Sequence, residues 1–205
     1  MIAGFRFFGL ASLFAAVAIA LAAPPARAAT DPAAAQVEAF DNALIGAMKA
    51  GKGAGFNGRY HQLEPAVARA FDVPRMIAFA VGPSWSKLPP AQQQQLTSAF
   101  NRLTVASYAR NFDAYSGQRF QITNVQTRGP DKLVTTQLVS PGQAPVTIAY
   151  RMQQSGGAWK IIDVFYNGSI SQLTTRRADF AATLAKGGAP ALIAHLNQLV
   201  DKEMK

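Results

Sequence analysis

The stretch "GGAWKIIDVFYNGSIS", residues 156–171, decides how the second half of the chain folds. It begins with a glycine turn, continues as an aromatic and β-branched run typical of a strand, and ends at a Gly-Ser pair. One acidic residue, Asp163, interrupts the apolar run. The two-residue period of a strand predicts that Asp163 shares a face with Trp159, Ile161 and Phe165. If that face is covered, Asp163 needs a polar partner, because an unpaired buried charge is strongly destabilising.

Segments of the same character precede this strand and are joined to it by short loops that contain glycine. Loops this short predict that neighbouring strands run antiparallel. In the third segment apolar and more polar side chains alternate, which predicts a sheet with one apolar face. The predicted meander has four strands, at residues 120–128, 132–140, 145–154 and 158–166.

Helical periodicity dominates the chain on both sides of the predicted sheet. Asp31-Pro32 is a typical helix start, with a capping side chain followed by proline at the first helical position. The helix predicted from Pro90 to Tyr115 has apolar residues on two faces, so it should contact two apolar surfaces. The other predicted helices cover residues 32–50, 59–71, 75–81, 171–186 and 189–204.

These elements predict an α+β fold in which helices from both ends of the chain cover one face of a four-stranded antiparallel meander. The helix with two apolar faces can pack outward on one side and line an apolar cavity with the other. Aromatic and aliphatic side chains on the elements expected to approach the covered face are the predicted pocket lining. They are Phe79, Trp85, Phe100, Leu103, Tyr108, Phe112, Ile148, Tyr150, Trp159, Ile161 and Tyr166.

The first 28 residues have the features of a secretory signal peptide. Arg6 supplies a short basic start, residues 7–23 are apolar, and Ala26-Arg27-Ala28 matches the small-residue pattern before a cleavage site. A signal anchor is the alternative, but the apolar run is short for a membrane span and is followed by two prolines. We therefore expect cleavage after residue 28, a single domain over residues 29–205, and a periplasmic location.

Composition limits the chemistry of the chain. It contains no cysteine, which excludes thiol and disulfide chemistry. Loss of the two arginines in the predicted signal lowers the net charge from +9 to +7. Such a surplus suits an anionic partner, and outside the cytoplasm a lipid headgroup or membrane face fits better than nucleic acid. A basic surface that only aids solubility is the alternative.

Catalytic and metal-binding patterns are weak. His61 and His195 lie on different predicted helices without nearby metal-ligand spacing, and no Gly-x-Ser-x-Gly elbow is present. We therefore expect no metal, no cofactor and no enzyme activity. Three roles are open for Asp163: a structural bond to an arginine or to loop amides, contact with a ligand, or proton transfer in a small isomerase or lyase acting on an apolar substrate.

Several short motifs follow one another along the chain. They are Phe71-Asp72-x-Pro74-x-Met76, Gly82-x-x-Trp85, Gln93 to Phe100, Tyr108-Ala109, Val146 to Tyr150, Trp159-Lys160-x-x-Asp163-Val164, Gly168-Ser169 and Arg177-x-x-Phe180. Their order and spacing resemble the MlaC, or toluene-tolerance, family of periplasmic lipid carriers. Within that family, "VASYARNFDAYSGQRF" (105–120) is most similar to the HpnM branch associated with hopanoid biosynthesis.

The resemblance implies an interior that holds the acyl chains of a phospholipid, with a hopanoid as the other possible cargo. It also implies transfer between an outer-membrane lipoprotein and porin complex and an inner-membrane ABC transporter. Asp163, Gly168 and Ser169 are expected to fix the corner between the last strand and the following helix. The family usually has Gly-Val-Ser at this corner, whereas this chain has Gly168-Ser169-Ile170-Ser171.

Overall fold

A computed structural model describes residues 31–205 of the chain, so the predicted signal peptide lies outside the described residues. The α+β class is confirmed: helices precede and follow an antiparallel sheet. The elements are α1 (Pro32–Ala70), α2 (Val73–Val81), a 3-10 helix (Gly82–Lys87), α3 (Pro90–Asn111), β1 (Arg119–Arg128), β2 (Asp131–Val139), β3 (Val146–Ser155), β4 (Ala158–Tyr166), β5 (Ile170–Ser171) and α4 (Gln172–Glu203).

Helix α1 begins as the sequence predicts and is broken near its middle. The Asp31 side chain accepts a hydrogen bond from the Ala33 amide at 2.9 Å, which satisfies one of the free amides of the first turn. The helical path is interrupted at Gly51 and Gly55, where φ is 57° and 62°. Positive φ is costly for residues with a Cβ atom, so these glycines allow the break.

A buried arginine holds the broken region of α1 against α3. The Arg59 side chain donates from Nε to the Ala109 carbonyl at 2.9 Å and from Nη1 to the Gly51 carbonyl at 3.0 Å. These bonds satisfy one carbonyl at the break and one in the last turn of α3. The two predicted helices of residues 32–50 and 59–71 are therefore two arms of α1 that share one fixed junction.

The sheet contains five strands in the order β1-β2-β3-β4-β5, each antiparallel to its neighbour. The prediction of four strands is therefore incomplete. After β4 the chain turns through Asn167 and Gly168, both at positive φ, and Ile170 pairs back onto Tyr166. A two-residue strand is too short to show an alternating pattern, which explains why periodicity does not detect it.

A β-bulge reverses the predicted orientation of Asp163. Strand β4 pairs Asp163 with Arg151 but Ile161 with Met152, which leaves one extra residue on β4 between the two pairs. An extra residue shifts the alternation, so Asp163 faces away from Ile161. The prediction that these two residues share a face is wrong. The inner face of the sheet instead carries Ile161 with Tyr150, Met152 and their in-phase neighbours.

Helix α1 packs over this inner face, and α3 packs against α1, α2 and α4. Helix α4 also packs against α2 and reaches the sheet at β4 and β5. Helix α3 contacts two apolar surfaces, as predicted: Phe100 meets Phe180 of α4, and Tyr108 meets Phe40 of α1. It ends at Asn111 rather than Tyr115, with the Phe112 amide capping the last turn. Within residues 31–205, none of the helices is sufficiently long and apolar to cross a bilayer.

Candidate functional site

Five aromatic rings form a connected line between α1, α3 and the edge strand β1, which we call the aromatic seam. Ring centroids are 5.0 Å apart for Phe71 and Phe40, 5.1 Å for Phe40 and Tyr108, 5.9 Å for Tyr108 and Phe112, and 6.2 Å for Phe112 and Phe120. Phe71 and Phe40 are buried, whereas Tyr108, Phe112 and Phe120 are half-buried. The seam therefore connects the core to the protein surface beside β1.

A polar pair lies directly against the buried end of the seam. Tyr150 of β3 packs edge-on against Phe40 and donates a hydrogen bond from its hydroxyl to Asp41 Oδ1 at 3.1 Å. The other carboxyl oxygen, Asp41 Oδ2, has no hydrogen-bond partner among residues 31–205. Asp41 is only 3% exposed, so water does not replace the missing partner at the surface. The interior of the sheet and helices thus contains one incompletely bonded carboxyl group.

Burial controls the protonation of this pair. It raises the pKa of Asp41 from 3.8 to about 7, with a smaller contribution in the same direction from Glu38 and an opposing one from the Tyr150 hydrogen bond. Burial, with a lesser effect of the Asp41 charge, also raises the pKa of Tyr108 and of Tyr150. Both phenols stay neutral at physiological pH, so each hydroxyl can donate one hydrogen bond and can also accept.

The structure brings together about half of the predicted lining. Tyr108 and Phe112 belong to the seam, and Tyr150 contacts it through Phe40. Ile148 and Ile161 occupy the inner face of the sheet beside Tyr150. These five residues surround the space between the sheet and the helices.

Other predicted lining residues lie elsewhere. Phe79 is 46% exposed and its ring lies beneath the Arg177 guanidinium, while Tyr166 is also 46% exposed. Trp159 is half-buried under the ammonium group of Lys132. Trp85 lies half-buried in the 3-10 helix. These four aromatic residues do not contact the seam rings.

Two predicted lining residues, both on α3, are part of the packed core. Phe100 contacts Phe180 of α4 at a ring-centroid distance of 6.2 Å, and Leu103 is 2% exposed. Phe100 therefore joins two helices instead of facing the sheet.

Asp163 fixes the corner between β4 and α4, and both of its carboxyl oxygens are used. Oδ1 accepts from the Val164 amide at 2.8 Å and the Leu173 amide at 3.1 Å, and Oδ2 accepts from the Ser171 hydroxyl at 2.6 Å. The expected role in the corner is present, but the hydroxyl that reaches Asp163 belongs to Ser171 rather than Ser169. Gly168 contributes a positive φ of 74° to the turn.

The arrangement of helices, sheet and corner agrees with a comparison against protein-family models. Residues 38–198 match the family described as MlaC protein. The chain belongs to the MlaC family. The matched region contains the whole sheet, the corner and all five rings of the aromatic seam.

A solved structure from Ralstonia solanacearum has the same MlaC-type fold. It is a phospholipid-binding protein in complex with a phospholipid, and it superposes with a TM-score of 0.75 at 23% sequence identity. The superposition covers 85% of this chain and 100% of the other. At this identity the likeness establishes the fold. A comparison with curated proteins finds no match.

Several side chains that face the space between the sheet and the helices of this MlaC domain are buried. Tyr150 and Phe40 are each 1% exposed, and Ile161 is completely buried. Two open grooves lie outside this space. One, of about 430 Å³, runs beside Phe71 between α2 and α3, and the other, of about 530 Å³, lies beside Trp159 at the end of the sheet. Among the described residues, no cluster of histidine and acidic side chains could hold a metal ion.

The corner yields a testable prediction about its serines. We expect Ser171→Ala to lower the free energy of unfolding by about 1 kcal/mol, because it removes a helix cap and a hydrogen bond to Asp163. Ser169→Ala should change the free energy by less than about 0.5 kcal/mol, as is usual for surface substitutions. Urea denaturation of both variants measures the difference. Equal effects would contradict the assignment of the corner hydroxyl to Ser171.

Sequence reasoning missed four residues of the site: Phe40, Asp41, Phe71 and Phe120. Their helices and strand were predicted, but their inward faces were not assigned to a pocket. The clearest available signal was Asp41, a charged residue on the stripe formed by Val37, Phe40 and Leu44. A charge on an apolar helix face indicates either a buried polar pair or a ligand contact.

Proposed function

We propose that this chain is a periplasmic phospholipid-binding protein whose ligand's acyl chains lie between the inner face of the sheet and helices α1 and α3. The aromatic seam supports this proposal, because it gives an apolar path from the surface at Phe112 and Phe120 to the buried Phe40. The phospholipid held by the Ralstonia solanacearum protein supports it from the same fold.

We infer that binding moves apart the side chains that face this space, since Phe40, Tyr150 and Ile161 are buried in the present conformation. Opening this space without a ligand would expose apolar side chains to water, whereas an acyl chain that fills the opened space keeps them out of water. The first arm of α1 can move relative to the second at the break at Gly51 and Gly55 only if the hydrogen bond from Arg59 to the Gly51 carbonyl opens. Each aromatic ring that separates from its present neighbours then packs against an acyl chain instead.

We further propose that the protein acts as a shuttle. A diacyl lipid does not cross water unaided because its hydrocarbon surface is too large, so the protein would carry it between the two membranes. The proposed donors and acceptors are an outer-membrane lipoprotein and porin complex and an inner-membrane ABC transporter. The likeness of residues 105–120 to the HpnM branch supports a hopanoid as a second candidate cargo.

The bonds of Asp163 fit a structural role better than the proton transfer that the isomerase or lyase alternative requires. General acid or base catalysis needs a carboxyl group within reach of a substrate proton. Both oxygens of Asp163 are bonded to the corner of the fold, and the residue is only 8% exposed. The corner therefore uses the hydrogen-bonding capacity that catalysis would need.

Lipid analysis of the exported protein tests the proposal. The full chain is produced in a hopanoid-making bacterium, recovered from the periplasm by gentle extraction, and measured by native mass spectrometry and lipid extraction. We expect one phospholipid per chain; hopanoid in its place would make the protein a hopanoid carrier. Protein that is repeatedly lipid-free, and that takes up no lipid from vesicles, would contradict the proposal.

A further inference from the structure

Asp41 is the exception among the buried acids of this protein. Both carboxyl oxygens of Asp163 accept hydrogen bonds, and Asp131 bonds Arg151 through one oxygen and Gln153 through the other. Asp41 is buried as deeply as either, yet within residues 31–205 only its Oδ1 has a hydrogen-bond partner. A buried polar atom without a partner destabilises the folded protein. The fold therefore keeps at Oδ2 a hydrogen-bonding capacity that it does not use itself.

The surroundings of Asp41 point to a ligand rather than to a salt bridge. Tyr150 of β3 is its single hydrogen-bond partner among residues 31–205, and none of the ion pairs in this part of the chain includes it. Its nearest titratable neighbours are Tyr150, Tyr108 of α3 and Glu38 of its own helix, none of which supplies a positive charge. Phe40, which precedes it, belongs to the seam. Asp41 thus lies beside the path proposed for the acyl chains.

We propose that Asp41 Oδ2 is a specificity site that binds a hydroxyl group on the hydrocarbon part of the lipid ligand. This inference rests on the proposed function, since the ligand must lie along the seam to reach Oδ2. A plain acyl chain beside Asp41 leaves the oxygen unbonded, whereas a hydroxyl group restores the bond. The difference in binding free energy between a hydroxylated chain and a plain chain is then the free energy of one buried hydrogen bond.

A hydroxyl group suits this carboxyl in either protonation state. A carboxylate only accepts hydrogen bonds, whereas a carboxylic acid also donates one, and a hydroxyl can serve as the partner in both cases. An ammonium group would require the ionised form, and an ester carbonyl would require the protonated form. Burial in an apolar interior raises the pKa of Asp41 to about 7, so both protonation states of the carboxyl group occur near neutral pH. A hydroxyl group can therefore bind to this site throughout the neutral pH range.

Competition between matched fatty acids tests the proposal. A phosphatidylethanolamine with a fluorescent headgroup is bound first, and it is then displaced by stearate or by monohydroxystearates that differ only in the position of the hydroxyl. We expect one or two adjacent positions to compete about tenfold better than stearate, equivalent to about 1.4 kcal/mol. Asp41→Leu should lose this preference and bind stearate more tightly. Tyr150→Phe should keep it, because Asp41 is unchanged.

The outcomes separate this inference from the proposed function. If the labelled phospholipid binds but every hydroxystearate competes like stearate, the hydroxyl site is wrong and lipid binding stands; an ordered water on Oδ2 would give this result. If no lipid binds at all, the proposed function itself fails. A preference that persists in folded Asp41→Leu would assign the site to another residue. The comparison of ligands on the unchanged protein already tests the proposal if that variant does not fold.

Discussion

Asp41→Asn is expected to change the free energy of unfolding in a pH-dependent way. The change should be more stabilising at pH 8 than at pH 4, by about 4 kcal/mol. Burial raises the pKa of Asp41 from 3.8 to about 7, so the folded protein binds its proton more tightly than the unfolded chain does. The resulting stabilisation is fully present below pH 3.8 and is lost as the pH rises to about 7. Asparagine has nearly the same shape as aspartate and does not titrate, so the variant does not lose this stability as the pH rises.

Urea denaturation of both proteins between pH 4 and pH 8 measures the effect. Asp31→Asn is a control of opposite sign, because the hydrogen bond from Lys132 lowers the pKa of Asp31. Asp31 therefore contributes stability above its unfolded pKa and loses it as the pH falls, so its replacement should cost stability only toward neutral pH. A pH-independent difference for Asp41→Asn would show that Asp41 is already ionised or solvated in the folded protein.

The positions of most elements were predictable because their signals are local. Proline and glycine turns separate the four long strands, and Asp31 and Asp72 each cap the helix that was expected to follow. The bulge in β4 was not predictable, because no residue in that strand marks where the alternation shifts. Its consequence is large, since it moves Asp163 from the expected inner face to the corner with α4.

The corner serine was assigned to the wrong one of two neighbouring serines. The chain departs from the Gly-Val-Ser of the family at Gly168-Ser169-Ile170-Ser171, and Ser169, which directly follows Gly168, was expected to fix the corner. Ile170-Ser171 is the pair that places a serine after a β-branched residue, and Ser171 is the hydroxyl bonded to Asp163. Residue type cannot distinguish the two serines, so the hydrogen-bonding distance to Asp163 identifies the one that fixes the corner.

The candidate site was predicted for the residues whose inward direction follows from the sheet. Tyr150 and Ile148 lie on the apolar face that alternation selects in β3. Helical residues were harder to assign, because an aromatic side chain can face the sheet, another helix or solvent. Phe79 lies at the surface under Arg177, whereas Phe40 lies in the seam. Tertiary packing decides between these positions, and the packing cannot be inferred from the sequence of a single helix.

Because some aromatic residues lie in the seam and others at the surface, a charged substitution should affect lipid binding differently at the two kinds of position. We expect Phe112→Glu to lower lipid occupancy by at least about tenfold, which corresponds to about 1.4 kcal/mol. The new carboxylate would lie within the aromatic seam, where acyl chains cannot solvate it, and burial of an unpaired charge is costly. Phe112 is only half-buried and follows the end of α3, so the charge can turn toward water in the lipid-free protein, which should remain folded.

Phe79→Glu is the matched control, because it makes the same chemical change at an aromatic residue that the sequence also placed in the pocket. The Phe79 ring is 46% exposed and lies beneath Arg177, so a glutamate there meets water and a positive charge. We expect its lipid occupancy to equal that of the unchanged protein. Native mass spectrometry after incubation with phospholipid vesicles measures occupancy, and circular dichroism checks folding. Full occupancy of folded Phe112→Glu would remove the seam from the lipid path, and a loss confined to Phe79→Glu would move that path to α2 and the start of α4.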